Sequence, residues 1–180
     1  MGNTGPGGGK VFYDAGTIKS WGRYLEAAPT DYKVGTDERT GAEWGCRGTL
    51  TEATAEAIGT GKANTDKILT ICTTDGIAAD VANKYSTTNT VDAPGAAGQW
   101  FLPSKDELNE LCKYARTQTT GTSTVRCDSS EALRNGFAAD FYWSSSEDYE
   151  YRAWYQVFYN GYQYYNGRLT NYYVRPVRAF

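Results

Sequence analysis

The stretch WYQVFYNGYQYYN, residues 154–166, places a strong turn signal inside a run of aromatic residues. Asn-Gly is the pair most favoured in two-residue β-hairpin loops, because a type I′ turn needs a positive φ at both central positions. Asn160 and Gly161 therefore predict a hairpin turn. The strand pairs that follow from this turn are Tyr159 with Tyr162, Val157 with Tyr164, and Tyr155 with Asn166.

The two faces of this predicted hairpin differ in character. Side chains alternate along a strand, so all the residues paired above share one face. The other face receives Trp154, Gln156, Phe158, Gln163 and Tyr165. We expect Trp154 and Phe158 to face the core and the paired face to meet solvent or a partner, since exposed tyrosine clusters are typical of interaction surfaces. The alternative is that a second sheet or a loop of the same domain covers the paired face.

Upstream of this region the sequence alternates between strand and helix signals. Residues 10–13 and 21–27 predict an early hairpin. Residues 50–84 predict two or three short helices, with Asn64 as an N-cap and Gly76 as a stop. These signals favour an α+β domain.

The clearest helix signal is SKDE, residues 104–107, which has the form of a capping box. Apolar residues follow at helical spacing, namely Leu108, Leu111, Cys112 and Ala115. The pattern predicts an amphipathic helix packed on a core. Strands are expected to resume at Phe141.

The charge balance argues against recognition driven by long-range electrostatics. The chain has 18 basic and 21 acidic residues and a formal net charge of -3, so no general attraction to nucleic acid is expected. Histidine is absent, which removes the commonest general base and metal ligand, and with it the Ser-His-Asp and Cys-His arrangements. We therefore predict no enzyme activity, no cofactor and no bound metal.

The cysteines lie far apart and form no CxxC pair, which argues against a zinc ribbon. They are Cys46, Cys72, Cys112 and Cys127. Their even number permits two disulfides in an oxidising compartment, and buried thiols remain the alternative. Spacing alone leaves the connectivity open.

The composition of the first residues and the hydropathy pattern give expectations about the location of the protein. No apolar run approaches the roughly 20 residues needed to cross a bilayer, and residues 1–9 are glycine-rich rather than charged and then apolar. We expect no membrane insertion, no secretory signal, and a flexible start before a single domain over residues 10–180. A virion or a cell surface is the favoured location.

Three other motifs are expected to be structural. GTGK at residues 59–62 resembles part of a phosphate loop but lacks its earlier glycine and its Ser/Thr, so it predicts a turn. Asp106 and Glu110 share a helical face, and exposed acids near a helix N-terminus are the simpler interpretation. The serines at residues 144–146 have no histidine or nearby lysine to activate them.

Several phrases together resemble a known group of domains. They are GPGGGKVFY (5–13), YLEAAP (24–29), WGC (44–46), IGTGKANT (58–65), WFLPSKDELNEL (100–111), YWSSSE (142–147) and VRPVRAF (174–180). With these phrases the chain resembles the DUF1566 type of C-type-lectin-like domain, found in variable proteins of diversity-generating retroelements. The resemblance implies a C-type-lectin-like fold, with short helices around a small antiparallel sheet and a C-terminal hairpin.

The resemblance also implies a variable region at about residues 142–173. In that family, errors at adenines convert asparagine codons into codons for other residues, and the encoded side chains point outward to bind a protein or cell-surface ligand. The positions here that hold residue types reachable in this way are Asp148, Tyr149, Tyr151, Arg152, Tyr155, Val157, Tyr159, Asn160, Tyr162, Tyr164, Tyr165, Asn166, Leu169 and Tyr172.

Tyr165 is the one position where this implication and strand alternation disagree. Alternation sends Tyr165 inward, so either the strand has a bulge at residues 164–165 or Tyr165 is outside the binding surface. Three rivals stay open: a formylglycine-generating type of enzyme, a calcium-independent glycan-binding lectin, and a structural surface or fimbrial module. The C-terminal phrase VRPVRAF lacks the cysteine that the first rival needs.

Overall fold

The computed structural model describes residues 1–32, 41–85, 99–121 and 125–180, and shows a mixed α+β chain with few helices and small antiparallel sheets. Its helices are α1 (Gly61–Ile71), α2 (Ala78–Asn83) and α3 (Lys105–Ala115). Its strands are β1 (Lys10–Lys19), β2 (Gly22–Ala27), β3 (Ala42–Glu43), β4 (Trp100–Phe101), β5 (Phe141–Tyr149), β6 (Arg152–Val157), β7 (Gln163–Gly167), β8 (Asn171–Tyr172) and β9 (Val177–Ala179).

The strands of the described residues form three sheets, with orders β1-β2-β9-β4, β3-β8 and β5-β6-β7. The early hairpin is confirmed as β1 and β2, although β1 continues to Lys19. β9 pairs with β2, where Leu25 lies opposite Ala179, and also with β4, so β9 is an interior strand of the first sheet. The expected strand at Phe141 is confirmed as β5.

α3 has the capping box that the sequence predicts. The Ser104 side chain accepts from the Glu107 N–H, and the Glu107 carboxylate accepts from the Ser104 N–H. Glu107 also accepts from the Gly59 N–H at 2.8 Å, so one buried carboxylate joins α3 to the segment before α1. Burial raises the pKa of Glu107 to about 7. Glu110, expected to be exposed, is instead buried and forms a 2.6 Å ion pair with Lys113.

The predicted bounds of the first helix were wrong at both ends. α1 begins at Gly61 with Thr60 as its N-cap, and it ends at Ile71 rather than at Gly76. Asn64 lies inside the helix, where its side chain donates to the Ala55 carbonyl at 2.6 Å. A tertiary contact supports the early start, because the Glu107 carboxylate of α3 accepts from the N–H groups of Gly59 and Gly61.

The cysteines form the disulfides Cys46–Cys72 and Cys112–Cys127. The first joins the residue after α1 to the segment that follows β3. The second joins α3 to the segment before β5 and closes a sequence separation of 15 residues. No free cysteine remains among the described residues.

The first residues of the chain lie against the first sheet. The buried Glu26 carboxylate accepts from the Gly7 N–H at 2.8 Å and from the Gly9 N–H at 3.1 Å. Gly2 also donates to the Val11 carbonyl at 2.8 Å. The glycine content predicted a flexible start, and the structure instead shows these residues bonded to the sheet, because glycine lets the backbone approach Glu26 closely.

Candidate functional site: a tyrosine-rich hairpin

The hairpin predicted at Asn160 and Gly161 is present, but its loop is longer than predicted. The Val157 N–H donates to the Tyr162 carbonyl at 2.8 Å, and the Gly161 N–H donates to the Val157 carbonyl at 2.7 Å. The loop between Val157 and Tyr162 therefore contains residues 158–161 rather than two residues. Gly161 has a φ of 78°, whereas Asn160 is not among the residues with positive φ, so the turn is not type I′.

The longer loop changes the register of the strands. Tyr155 lies opposite Tyr164 and Ala153 lies opposite Asn166, whereas Tyr155 was predicted opposite Asn166. The shift between Tyr155 and its partner is two residues, and a shift by two keeps every side chain on its predicted face. The predicted shared face is therefore confirmed for the strand residues Tyr155, Val157, Tyr164 and Asn166. Tyr159 lies in the loop instead, and the prediction of which residues pair is wrong.

Contacts to the rest of the chain fix the turn. A Cβ at position 161 would overlap the Cys127 carbonyl. The Gln156 side chain is buried and donates to the Gly161 carbonyl at 2.6 Å. The loop is therefore fixed by its packing against Cys127 and by the hydrogen bond from Gln156. A local turn motif indicates neither contact.

Four tyrosines at this end of the hairpin are exposed, and we call them the tyrosine edge. The exposed fractions are 46% for Tyr159, 47% for Tyr162, 52% for Tyr164 and 45% for Tyr165. Tyr162 and Tyr164 have ring centroids 6.0 Å apart. The tyrosine edge is thus four side chains close along the chain, each about half exposed to solvent, of which Tyr162 and Tyr164 are in ring contact.

Exposure on the predicted face falls from the edge of the sheet toward its centre. Val157, predicted to point to solvent, is buried with 2% exposure, because β6 lies between β5 and β7 and its neighbours cover it. Tyr155 is half-buried and lies 4.8 Å from Tyr172 between ring centroids. Burial and the neighbouring Tyr172 raise the pKa of Tyr155 to about 12, so its hydroxyl stays neutral at ordinary pH.

The opposite face of the hairpin also departs from the prediction. Trp154, expected in the core, is half-buried, and the Lys105 ammonium lies 3.7 Å from its ring centroid. Tyr165 shares this face and is exposed, because β7 is an edge strand that extends beyond the covering helix. The pairing of β6 with β7 continues without a bulge, so the bulge suggested for residues 164–165 is absent. Phe158 is fully buried, as predicted.

The remaining candidate residues divide between this end and the far end of the hairpin. Asn160 and Asn166 are half-buried, and the Asn166 side chain donates to the Tyr172 hydroxyl at 2.6 Å. At the far end are exposed side chains, with fractions of 50% for Tyr149, 42% for Tyr151 and 55% for Leu169. Arg152 and Asp148 form an ion pair at 2.9 Å there. The candidate residues therefore do not form one continuous patch.

A buried charged cluster holds the strands beneath these candidates. Arg168 is fully buried and forms a 3.0 Å ion pair with Glu147. Its guanidinium also donates to the carbonyls of Thr49 at 2.9 Å and Tyr149 at 2.6 Å, and it stacks on the Trp44 ring at 4.3 Å. We call Arg168, Glu147 and Trp44 the buried base. A lone arginine in a polar stretch gave no sequence signal for this role.

Several cations that the sequence did not indicate stack on the candidate aromatic rings. The Arg126 guanidinium lies 5.7 Å from the Tyr162 centroid, and that of Arg152 lies 4.1 Å from the Tyr165 centroid. The Arg47 guanidinium lies 5.1 Å from the Tyr151 centroid. Arg126 and Arg47 are far from their partners in the chain, so no local pattern could have indicated these pairs.

The serines of β5 are structural, as expected. Ser144 donates to the Trp154 carbonyl at 2.8 Å, and Ser146 donates to the Ala55 carbonyl at 2.8 Å. All three serines are buried. GTGK also behaves as expected for its first half, a turn, while its second half opens α1.

The chain matches one known family of protein domains. The model of the Lcl C-terminal domain matches residues 33–178, which is most of the chain. The chain belongs to the Lcl C-terminal domain family. This family is DUF1566-like, which agrees with the coarser part of the resemblance seen in the sequence. The match spans the whole hairpin, the buried base and α3, so these features belong to the family domain. No curated protein matches the chain significantly.

The described residues also bear on membrane insertion and metal binding. No α-helix within the described ranges is both long and apolar enough to cross a membrane. Across the same ranges, no three or more Cys, Asp or Glu side chains are grouped so that they could hold a metal ion.

Proposed function

We propose that this Lcl C-terminal domain is a non-catalytic ligand-binding protein that uses the tyrosine edge to recognise a protein or another cell-surface ligand. The observation that carries the proposal is the exposure of 45 to 52% at all four of these tyrosines. Tyrosine offers a large rigid contact area and a hydroxyl at low entropic cost, so such a cluster is suited to recognition. We propose a C-type-lectin-like scaffold as the support.

The non-catalytic part of the proposal rests on the candidate nucleophiles. Ser144 and Ser146 are buried and donate to backbone carbonyls, the described cysteines are in disulfides, and the chain has no histidine. We expect no turnover that depends on these groups. A chemical activity that disappears when one serine is replaced by alanine in a folded variant would overturn this part.

We further propose that the gene segment for residues 142–173 is diversified by a retroelement. The exposed members of the candidate set hold residue types that adenine errors produce from asparagine codons. The buried Val157 lies outside the surface that such variation would serve. The test is genomic: a reverse-transcriptase gene should lie nearby, with a near-repeat of this segment that differs mainly at adenines. A locus with neither contradicts the retroelement origin and leaves ligand binding to be tested separately.

Binding is tested with matched variants on cells. Labelled protein should bind a target cell type, and the triple change Tyr162→Ser, Tyr164→Ser and Tyr165→Ser should weaken binding at least about tenfold, since a few central tyrosines usually dominate an interface. Ile18→Ser is the control, because Ile18 is 84% exposed and lies on the other sheet. Equal binding by the triple variant and the control variant would place the recognition surface elsewhere. Self-association lost only in the triple variant would favour the structural-module alternative.

A glycan-binding function is the second candidate, favoured by a cavity of about 350 Å³ on the other side of α3. Trp21 and Phe101 supply apolar walls, while Gln99, Lys62 and Arg178 supply hydrogen-bond donors. Aromatic walls with convergent polar groups suit a small ligand. A glycan array should then give signals that Trp21→Ala removes and the tyrosine variants keep. Signals removed only by the tyrosine variants would instead place glycan recognition on the tyrosine edge.

A further inference from the structure

The outer side of β7 is an open sheet edge next to the tyrosine edge. β7 is five residues long, and among the described residues it pairs only with β6. An edge strand presents unpaired N–H and C=O groups that another extended chain can meet. Two members of the tyrosine edge, Tyr164 and Tyr165, belong to this strand.

The hydrogen bonds around the hairpin show which groups of β7 point outward. The Arg168 N–H donates to the Tyr151 carbonyl, and the Val157 N–H donates to the Tyr162 carbonyl. Hydrogen-bonded and non-hydrogen-bonded pairs alternate in an antiparallel ladder, so Tyr164 bonds to β6 and its neighbours do not. The backbone N–H and C=O groups of Gln163 and Tyr165 therefore point away from β6.

The side chains on both sides of this open edge suit a second strand. Tyr164 and Tyr165 point to opposite faces of the sheet and are 52% and 45% exposed. A strand beside β7 would place alternate side chains against each of them. β7 has neither a proline nor a lysine, the residues that commonly protect an edge from pairing.

The charges beside the edge indicate the composition of such a strand. Arg126 and Arg152 stack on Tyr162 and Tyr165, one toward each end of β7, and Lys105 lies over Trp154. Arg152 pairs with Asp148 and Lys105 with Glu56, whereas within the described ranges Arg126 has no carboxylate at salt-bridge distance. Of the three cations beside the edge, Arg126 is therefore the one whose charge no described carboxylate balances at salt-bridge distance.

We infer that the partner of the tyrosine edge is an extended polypeptide segment with acidic side chains, which adds to β7 as a further antiparallel or parallel strand. The inference rests on the proposed function and specifies its partner. Main-chain hydrogen bonds to Gln163 and Tyr165 provide affinity, while contacts with Tyr164, Tyr165 and the arginines provide selectivity. An acidic side chain of the segment meets Arg126.

The test compares two changes at one outward-facing position. Tyr165→Ala removes the side chain alone, and Tyr165→Pro removes the side chain and the outward N–H. Proline is tolerated on an edge strand when its nitrogen faces solvent, so the pairing with β6 is retained. The probes are linear peptides of about ten residues, long enough for one strand, selected from a displayed random library against the wild-type chain. Thermal unfolding of both variants checks that the fold is intact.

We expect the selected peptides to be enriched in Asp and Glu, and to bind Tyr165→Pro about five- to tenfold more weakly than Tyr165→Ala, the effect of one hydrogen bond. N-methylation of the peptide backbone should weaken binding at every second position only. Equal affinity of the two variants, or N-methylation effects that do not alternate along the peptide, overturns strand addition. Selected peptides without enrichment in Asp and Glu overturn the inferred acidic character of the segment. If the two variants are equal but Tyr164→Ala still weakens binding, the proposed function stands and strand addition falls. If tyrosine changes have no effect, both fall.

Discussion

The buried base includes Arg168, directly after β7, and the tyrosine edge includes Tyr164 and Tyr165 of β7, yet the two regions differ in almost every physical respect. Arg168 at the base is fully buried, ion-paired and hydrogen-bonded to several carbonyls. Tyr164 at the edge is 52% exposed and bonds to β6 through its backbone. The difference shows how one hairpin can combine a fixed backbone with side chains that have little structural role.

The largest expected effect is at the buried base. Arg168→Ala leaves the buried Glu147 carboxylate without its ion-pair partner, and removing one member of a buried pair costs about 3–5 kcal/mol. Arg152→Ala breaks the ion pair with Asp148, in which the side chains are 44% and 18% exposed, so it should cost less, about 1–2 kcal/mol. Denaturant unfolding of both variants measures the difference. Similar free energies of unfolding for the two variants would remove the distinction between base and edge.

The next effect separates two aromatic residues that the sequence assigned to the same role. Phe158 is fully buried and stacks on Tyr142 at 4.1 Å, so Phe158→Ala should cost about 3–4 kcal/mol. Trp154 is only half-buried beneath Lys105, so Trp154→Ala should cost clearly less, about 1–2 kcal/mol. Thermal melts of the two variants sharpen the comparison. A larger loss of stability for Trp154→Ala than for Phe158→Ala would mean that Trp154, and not Phe158, is the core side chain.

A smaller effect separates two glycines of the hairpin. Gly161 has a φ of 78° and its Cβ position meets the Cys127 carbonyl, so Gly161→Ala should cost at least about 2 kcal/mol. Gly167 in β7 has open space around its Cβ position, so Gly167→Ala should change the free energy of unfolding by at most about 0.5 kcal/mol. Denaturant titration of the matched pair checks this, and a mild Gly161→Ala variant would show that the loop does not need its contact with Cys127.

Local signals predicted part of this structure and long-range contacts determined the rest. The capping box of α3 needs only Ser104 and Glu107, so four residues were sufficient to predict it. Which strand residues share a face of the hairpin depends on the two-residue period of side chains along a strand. A register shift of two residues leaves these faces unchanged. The loop length depends on the approach of Gly161 to Cys127, which residues near the turn cannot encode.

The candidate site likewise combines features that the sequence predicted with features that only the tertiary structure determines. Tyr164 is exposed on the face that strand alternation predicted, whereas Tyr159 and Tyr162 are exposed because they lie in or beside the loop. The burial of Val157 could not be predicted, because it depends on the central position of β6 between two strands. Tyr165 is exposed for the complementary reason, since an edge strand can extend beyond the layers that cover both faces of its neighbours. The pairing of the cysteines and the role of Arg168 are likewise set by the tertiary fold.

The smallest effects are expected at the tyrosine edge, and one scan of all single substitutions tests the central claim that it varies freely on a fixed scaffold. The chain is displayed on cells, and protease resistance reports folding for each variant. At Tyr159, Tyr162, Tyr164 and Tyr165, most polar substitutions should change stability by at most about 0.5 kcal/mol. At Ala153, Val157, Phe158 and Arg168, most should abolish resistance. Equal intolerance at the two sets of positions would contradict the account, because the tyrosines would then be part of the core.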